Sequence, residues 1–270
     1  MTTAAATNRF GADPNDDYLV FITGLRQLWP VDLTQYRRGQ MERRIRSFAG
    51  RRGVTHLPDY LQVLKGDEDE LHRFLDHVTI NVSQLWRHPE QWQVLHKELI
   101  PELAAENRIR AWSAGCSYGA EAYTLSAVIR ETSPNTRVQI TGTDVDRRII
   151  DRAKQGRFTD ADAREAPQDQ MKKWFDHEGD MWSAKPELRF GMNFELGDLL
   201  HTSVPAGSYD LIMCRNVVIY FNEDVRDSLH GRLAAALRPG GYLVIGATER
   251  VATPGPIGLT PTHPFIYRKA

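Results

Sequence analysis

The chain of 270 residues is poor in cysteine, with only Cys116 and Cys214. Two thiols cannot build a disulfide framework. Both follow apolar, strand-like runs, so they read as buried free thiols of a reduced intracellular protein. Net charge is also missing. Lysine and arginine total 34 against 35 acidic residues, a formal charge of -1, which gives the chain as a whole no attraction for nucleic acid or a membrane surface. No apolar run approaches the ~20 residues needed to span a bilayer. The opening MTTAAATNRFGADPNDD lacks the charged-then-apolar order of a signal peptide. No membrane insertion and a cytoplasmic location are therefore expected. The nine histidines form neither HExxH nor a paired Cys and His spacing, so no metal is expected. What is present is ordinary for a soluble globular protein: 41% hydrophobic and 26% charged residues, with a mean hydropathy of -0.47. The length allows one large domain, or a large one with a small companion.

The pattern along the chain divides it. Residues 1–13 are small and polar and read as a flexible N-terminus. Over 14–80 the periodicity is helical: Tyr18, Leu19, Phe21, Ile22 and Leu25 recur at spacings of three and four, as do Leu57, Tyr60, Leu61 and Leu64. Turn signals at Pro30, Gly53 and Gly66 cut this region into about four short helices. Residues 81–103 read as a linker and a helix carrying Trp92, Leu95, Leu99 and Leu103 on one face. From 104 to 270 apolar runs alternate with helical patterns, which predicts a mostly parallel sheet covered on both faces. The alternation breaks over about 158–196. There Glu187 to Phe190 and Asn193 to Leu196, separated by Gly191, suggest a small antiparallel β insertion.

In an open parallel sheet, ligands sit at the carboxyl ends of the strands. The stretch AWSAGCSYGAE ends the first strand, where Gly115 and Gly119 allow close backbone approach to a ligand or simply a tight turn into the next helix. It has neither the G-x-G-x-x-G spacing of a pyrophosphate cradle nor the Lys of a P-loop. The second strand ends TGTDVD, which sets Asp144 where a carboxylate can accept both hydroxyl protons of a ribose, while Asp146 is placed to cap the following helix. Later, Asp198 and Leu199 of GDLL could frame an adenine. The fourth strand delivers Arg215, Asn216 and Tyr220 to the same edge within CRNVVIYFN, either as a tied-down corner or as a reaction site.

Taken in order, WSAGCSYGAEAYTL, GTDVDRRIIDRAKQGRF, FELGDLL, YDLIMCRNVVIYF and LRPGGYLVIGATE closely resemble the chemotaxis-receptor glutamate methyltransferases, the CheR type, which use S-adenosylmethionine. TINVSQLWRHPE is similar to that family's linker, and the helical region to its N-terminal domain. The resemblance implies a Rossmann-like α/β methyltransferase domain with a small β insertion, preceded by an all-α domain. It implies that Asn81, Ser83, Arg87, Gly115, Glu121, Asp144, Asp198, Leu199, Arg215 and Asn216 surround the cofactor. Arg87 suits a methionyl carboxylate, and Glu121 suits a cationic sulfonium ligand bearing an ammonium group. Family members often carry Asn where Asp198 stands, Pro where Ala122 stands and Phe where Trp86 stands. None of these departures removes a group that the chemistry needs.

The reaction so implied moves a methyl group to glutamate carboxylates on the cytoplasmic helices of methyl-accepting chemotaxis receptors. A glutamate is already ionised near neutral pH, so no general base is required. Arg215, Asn216 and Tyr220 are the candidates to line the acceptor pocket, Tyr220 being equally readable as core. Arg37, Arg38, Arg43, Arg44 and Arg46 crowd a segment whose only acid is Glu42, which reads as a docking surface for acidic helices or as a solvated face. The short His177 to Met181 stretch suggests a member that works without a receptor pentapeptide tether, and a monomer is expected. Two other readings compete: a Rossmann methyltransferase for RNA or a small molecule, and a non-catalytic cofactor-binding module. CRNVVIYF does not match an N/D-P-P-Y/F motif, and Asp144 and Arg215 are both retained.

Overall fold

In a computed structural model, residues 16–79 and 82–270 are described. The expected loose start at 1–13 lies outside them. The chain forms two compact units, Met1–Ile80 and Asn81–Ala270.

The first unit holds helices α1 Asp17–Leu25, α2 Arg38–Gly50, α3 Leu57–Gly66 and α4 Glu68–Val78. Asp16 caps α1 by accepting from the Leu19 N–H, and Asp67 caps α4 by accepting from the Glu70 N–H at 2.8 Å. Phe21, Tyr60 and Phe74 are fully buried, and the Phe74 ring meets the Phe21 ring edge-on at 5.7 Å between centroids. The Glu70 carboxylate is buried beside them. It accepts from the Tyr60 hydroxyl at 2.9 Å and pairs with Arg52 and Arg73, so no bare charge enters the core.

The second unit opens with α5 Pro89–Val94, which runs through a π-helical turn, Leu95–Leu99, into α6 Ile100–Leu103. Then come β1 Arg108–Ala114, α7 Ala120–Thr132, β2 Arg137–Asp144, α8 Arg147–Gln155 and β3 Arg157–Thr159. These are followed by α9 Gln168–Trp174, β4 Phe175–Glu178, β5 Met181–Ala184, α10 Pro186–Arg189, β6 Met192–Leu196 and β7 Tyr209–Cys214. The chain closes with α11 Glu223–Ala236, β8 Leu237–Ile245, β9 Leu259–His263 and β10 Ile266–Lys269. Seven strands form one sheet in the order β6-β2-β1-β7-β8-β10-β9. The first five are mutually parallel, while β10 runs antiparallel to both β8 and β9. The central strands are almost wholly buried, as in DLIMC of β7 and LVI of β8, because helices shield them.

The excursion is smaller than its sequence suggests. β3, β5 and β4 make a separate antiparallel sheet, with β4 and β5 joined through Gly179 and Asp180. Residues Glu187 to Arg189 are helical, and Asn193 to Leu196 belong to β6, the edge strand of the large sheet. Gly191 explains the difference. Its φ is +78°, and a Cβ there would lie 2.2 Å from the Val138 carbonyl oxygen, so only glycine lets the chain turn tightly enough to lay β6 along β2. A short apolar run on its own cannot reveal which sheet it joins.

On α11, His230 is 1% exposed and neither ring nitrogen has a hydrogen-bond partner. Burial pushes its pKa down to about 4. Between the ordinary histidine value of about 6.5 and that lowered value, the unfolded chain binds a proton that the folded chain refuses. Stability is thus expected to be undiminished above about pH 6.5 and to fall by on the order of 3 kcal/mol as the pH drops through this window. Urea titrations across it should show the fall in the native chain, and a His230→Leu variant should lose that share of the pH dependence.

Candidate active site

β2 lies on one side of β1 and β7 on the other, so the chain changes direction across the sheet at β1, and the loops leaving these three strands diverge there. After β1 the chain closes tightly. The N–H groups of Gly115 and Cys116 both donate to the Thr143 carbonyl at 2.9 Å. Gly115 has φ +76°, and a Cβ would come within 2.5 Å of Val217, so glycine lets the loop after β1 press against the loop after β7.

Asp144, at the end of β2, is half-buried and oriented by its neighbours. Its carboxylate accepts from the Ser117 N–H at 2.9 Å and from the Asp146 N–H at 3.1 Å. Burial raises its pKa, and these backbone donors oppose the rise. Beside it the Ser117 hydroxyl is buried without a protein partner, and Ser117 itself has φ +50°. Asp146 caps α8, accepting from Arg148 N–H at 2.9 Å and Ile149 N–H at 3.3 Å.

Arg215 gathers three elements. Its Nε donates to Gln91 Oε1 at 2.8 Å, one terminal nitrogen to Glu121 Oε2 at 3.3 Å and the other to the Arg87 carbonyl at 2.7 Å. The guanidinium also stands over the Trp92 ring at 5.5 Å, and the side chain is 3% exposed. Burial lowers its pKa while Glu121 opposes that shift. Glu121 Oε1 accepts from the Ser113 hydroxyl at 2.7 Å, and the Gln91 amide donates to the Ile245 carbonyl at 3.0 Å. A buried cation is tolerable here because its donors are matched.

The next residue, Asn216, has φ +60°. That left-handed backbone is held by Glu249, whose Oε2 accepts from the Asn216 N–H at 3.0 Å and the Gly246 N–H at 2.6 Å. Burial raises the Glu249 pKa against these donors. Tyr220 ends a short 3-10 turn, Val218–Tyr220, and is half-buried. Asp198 accepts from the Leu200 N–H at 2.8 Å and meets His201 Nδ1 at 2.6 Å, and Leu199 is buried. Within the linker, Ser83 and Arg87 are half-buried, and Arg87 donates to the Val82 carbonyl at 3.2 Å. Asn81 lies outside the described residues.

The arginines of the first unit are largely engaged with their own unit. Arg38 pairs with Asp16 at 2.6 Å and Glu42 at 3.0 Å. Arg46 pairs with Asp17 at 2.6 Å and Glu42 at 2.8 Å, and Arg44 donates to the His77 carbonyl. Arg37 and Arg43 are exposed.

Residues 16–79 match the CheR methyltransferase all-alpha domain, and residues 81–261 match the CheR methyltransferase SAM binding domain. The chain belongs to the CheR methyltransferase family. It is 36% identical over 260 residues to a chemotaxis protein methyltransferase of Listeria innocua, covering 95% of this chain and 98% of the relative. It is 30% identical over 247 residues to chemotaxis protein methyltransferase 1 of Pseudomonas aeruginosa, covering 87% of this chain and 90% of that one. A solved S-adenosylmethionine dependent methyltransferase from Mesorhizobium loti overlays in part, with a TM-score of 0.32 and 19% identity over 54% of this chain and 51% of that one.

As a CheR methyltransferase, the chain has an S-adenosylmethionine-binding domain, and the donor set at the strand ends fits that cofactor. Asp144 supplies an acceptor for a diol, and the unpartnered Ser117 hydroxyl a further polar contact. Among the described residues no group of three or more His, Cys, Asp or Glu could hold a metal ion. Gln91 and Glu249 went unremarked in the sequence, since a glutamine on a helix and a glutamate after a strand carry no spacing signal.

Two outcomes follow from this geometry. Asp144→Asn should weaken S-adenosylmethionine binding tenfold to a hundredfold, roughly the worth of charged hydrogen bonds, with the urea midpoint held or raised; calorimetry and denaturation check both. Arg215→Ala should cost about 3–5 kcal/mol of stability by stranding Glu121, and Arg215→Lys distinctly less, as read from urea midpoints.

Proposed function

We propose that this chain moves the methyl group of S-adenosylmethionine to the side-chain carboxylate of glutamates on the cytoplasmic helices of methyl-accepting chemotaxis receptors, leaving a methyl ester. The bound cofactor supplies an electrophilic methyl on a sulfonium. The observation that carries the reading is the carboxylate of Asp144, aimed by two backbone N–H groups at the strand ends of a CheR domain. The acceptor fits the protonation states around it. Burial pushes the Cys116 and Cys214 thiols well above their usual range, so neither serves as a thiolate, and burial with the Arg215 and Arg87 charges lowers the His88 pKa. An ionised glutamate needs no base from the enzyme; it needs water removed and one oxygen aligned.

Asn216 and Tyr220, half-buried on the loop after β7, are our candidates to line the acceptor pocket. Arg215 belongs with them as the residue that fixes the loop, and it could reach the acceptor only by exchanging one of its present contacts. Ser83, Arg87, Asp198 and Leu199 are assigned to the cofactor, with Glu121 held ready by Ser113 and Arg215. Arg37, Arg38, Arg43, Arg44 and Arg46 are assigned to docking the acidic substrate helices, Arg37 and Arg43 being exposed in a segment, 37–46, whose only acid is Glu42. The tight β4–β5 turn favours a member that acts without a pentapeptide tether, and we assign the chain to the cytoplasm as a monomer.

The test is to incubate the protein with methyl-labelled S-adenosylmethionine and receptor-containing membranes, then treat the product with alkali. Release of the label as methanol is the expected result. A label that survives alkali, or that lands on nucleic acid, overturns the reading.

A further inference from the structure

One phenol joins the cofactor loop to the linker. Tyr118 is 3% exposed, and its hydroxyl lies against the Ser83 carbonyl and 2.9 Å from Asp162 Oδ1. Asp162 is itself fixed: it accepts from Thr159 N–H at 2.8 Å, the Thr159 hydroxyl at 3.0 Å and Arg152 at 3.2 Å. Its backbone carbonyl accepts from the Leu85 N–H at 2.9 Å. The Arg152 guanidinium stands 4.0 Å over the Tyr118 ring. One residue earlier, the Ser117 N–H holds Asp144.

The linker needs such anchoring. Trp86 and His88 have φ values of 54° and 60°, which residues with a Cβ adopt only when their surroundings hold them there. Its backbone is tied along its length, at Ser83 by Tyr118, at Leu85 by Asp162, at Trp86 by the Thr124 hydroxyl and at Arg87 by Arg215. Of these ties, the Tyr118 hydroxyl belongs to the same short loop that orients Asp144.

We infer that Tyr118 is a positioning residue for cofactor binding. Its hydroxyl keeps residues 82–88 in their strained path, so that Ser83 and Arg87 stand ready when the cofactor reaches Asp144. It acts through the linker and through Asp162, which brings the start of the small β insertion into the same latch. The inference rests on the assignment of Ser83 and Arg87 to the cofactor.

Tyr118→Phe tests it, because the ring and its stacking with Arg152 are kept while the single hydroxyl proton, shared between the Ser83 carbonyl and Asp162, is lost. The Kd and KM for S-adenosylmethionine should rise about tenfold, the worth of one charge-assisted hydrogen bond, while kcat at saturating cofactor moves less than about twofold. Amide exchange at Leu85 and Trp86 should quicken about tenfold without cofactor, with the β1 and β2 amides unchanged. Asp162→Asn should move the same quantities in the same direction, and it decides the matter if the phenylalanine variant fails to fold. Unchanged affinity, or lowered affinity with unchanged exchange in the linker, overturns the inference. Native protein that takes up no S-adenosylmethionine would instead overturn the proposed function.

Discussion

The second unit is organised around a cation kept out of water. Moving a guanidinium into a protein interior costs several kcal/mol unless its donors are met, and Arg215 meets them from three separate elements: Gln91 on α5, Glu121 on α7 and the carbonyl of Arg87 in the linker. The requirement works in both directions. Each partner is placed by the arginine that it satisfies, so the linker, the first turn of α7 and the loop after β7 cannot drift independently. Gln91 extends the constraint to the end of β8 through Ile245, and Ser113 extends it to β1. Much of what resembles a catalytic cluster in the sequence is thus the brace that sets the shape of the strand ends.

Around that brace, polar groups divide into satisfied and unsatisfied ones. Glu70 in the first unit is a buried acid whose donors come from the side chains of Tyr60, Arg52 and Arg73, whereas in the second unit one oxygen of Glu249 holds the Asn216 and Gly246 N–H groups and the other has no partner. The Ser117 hydroxyl beside Asp144 has no protein partner. Buried polar atoms usually find partners, so under the proposed function the Ser117 hydroxyl is left to be met by the cofactor.

The sequence made visible those features that depend on local spacing. The placement of Asp144 at the end of β2 was readable because an acid ends an apolar run just before a helix cap, and that of Arg215 and Asn216 after β7 because polar residues follow a buried strand without a break. Partnerships across long sequence separations were hidden. Nothing near Arg38 or Arg46 announces Asp16 and Asp17, so the arginine-rich segment read as open charge, whereas much of it is neutralised within the first unit. The same limit misplaced Asn193 to Leu196, since pairing with β2 depends on the turn at Gly191 and leaves no periodicity of its own. Gln91, Tyr118 and Glu249 each reach a residue far away in the sequence, Arg215, Ser83 and Asn216 respectively, and a lone sequence cannot reveal such a pairing.

The two cysteines carry a consequence of a different kind. Both are free and buried, one in the loop after β1 and the other closing β7, and burial keeps both protonated. Oxidants and alkylating reagents therefore find no thiol on the native surface, and the two cysteines at the strand ends are insulated from the redox poise of the surroundings. Thiol labelling instead becomes a clock for global opening of the large sheet, built into the protein without any added probe.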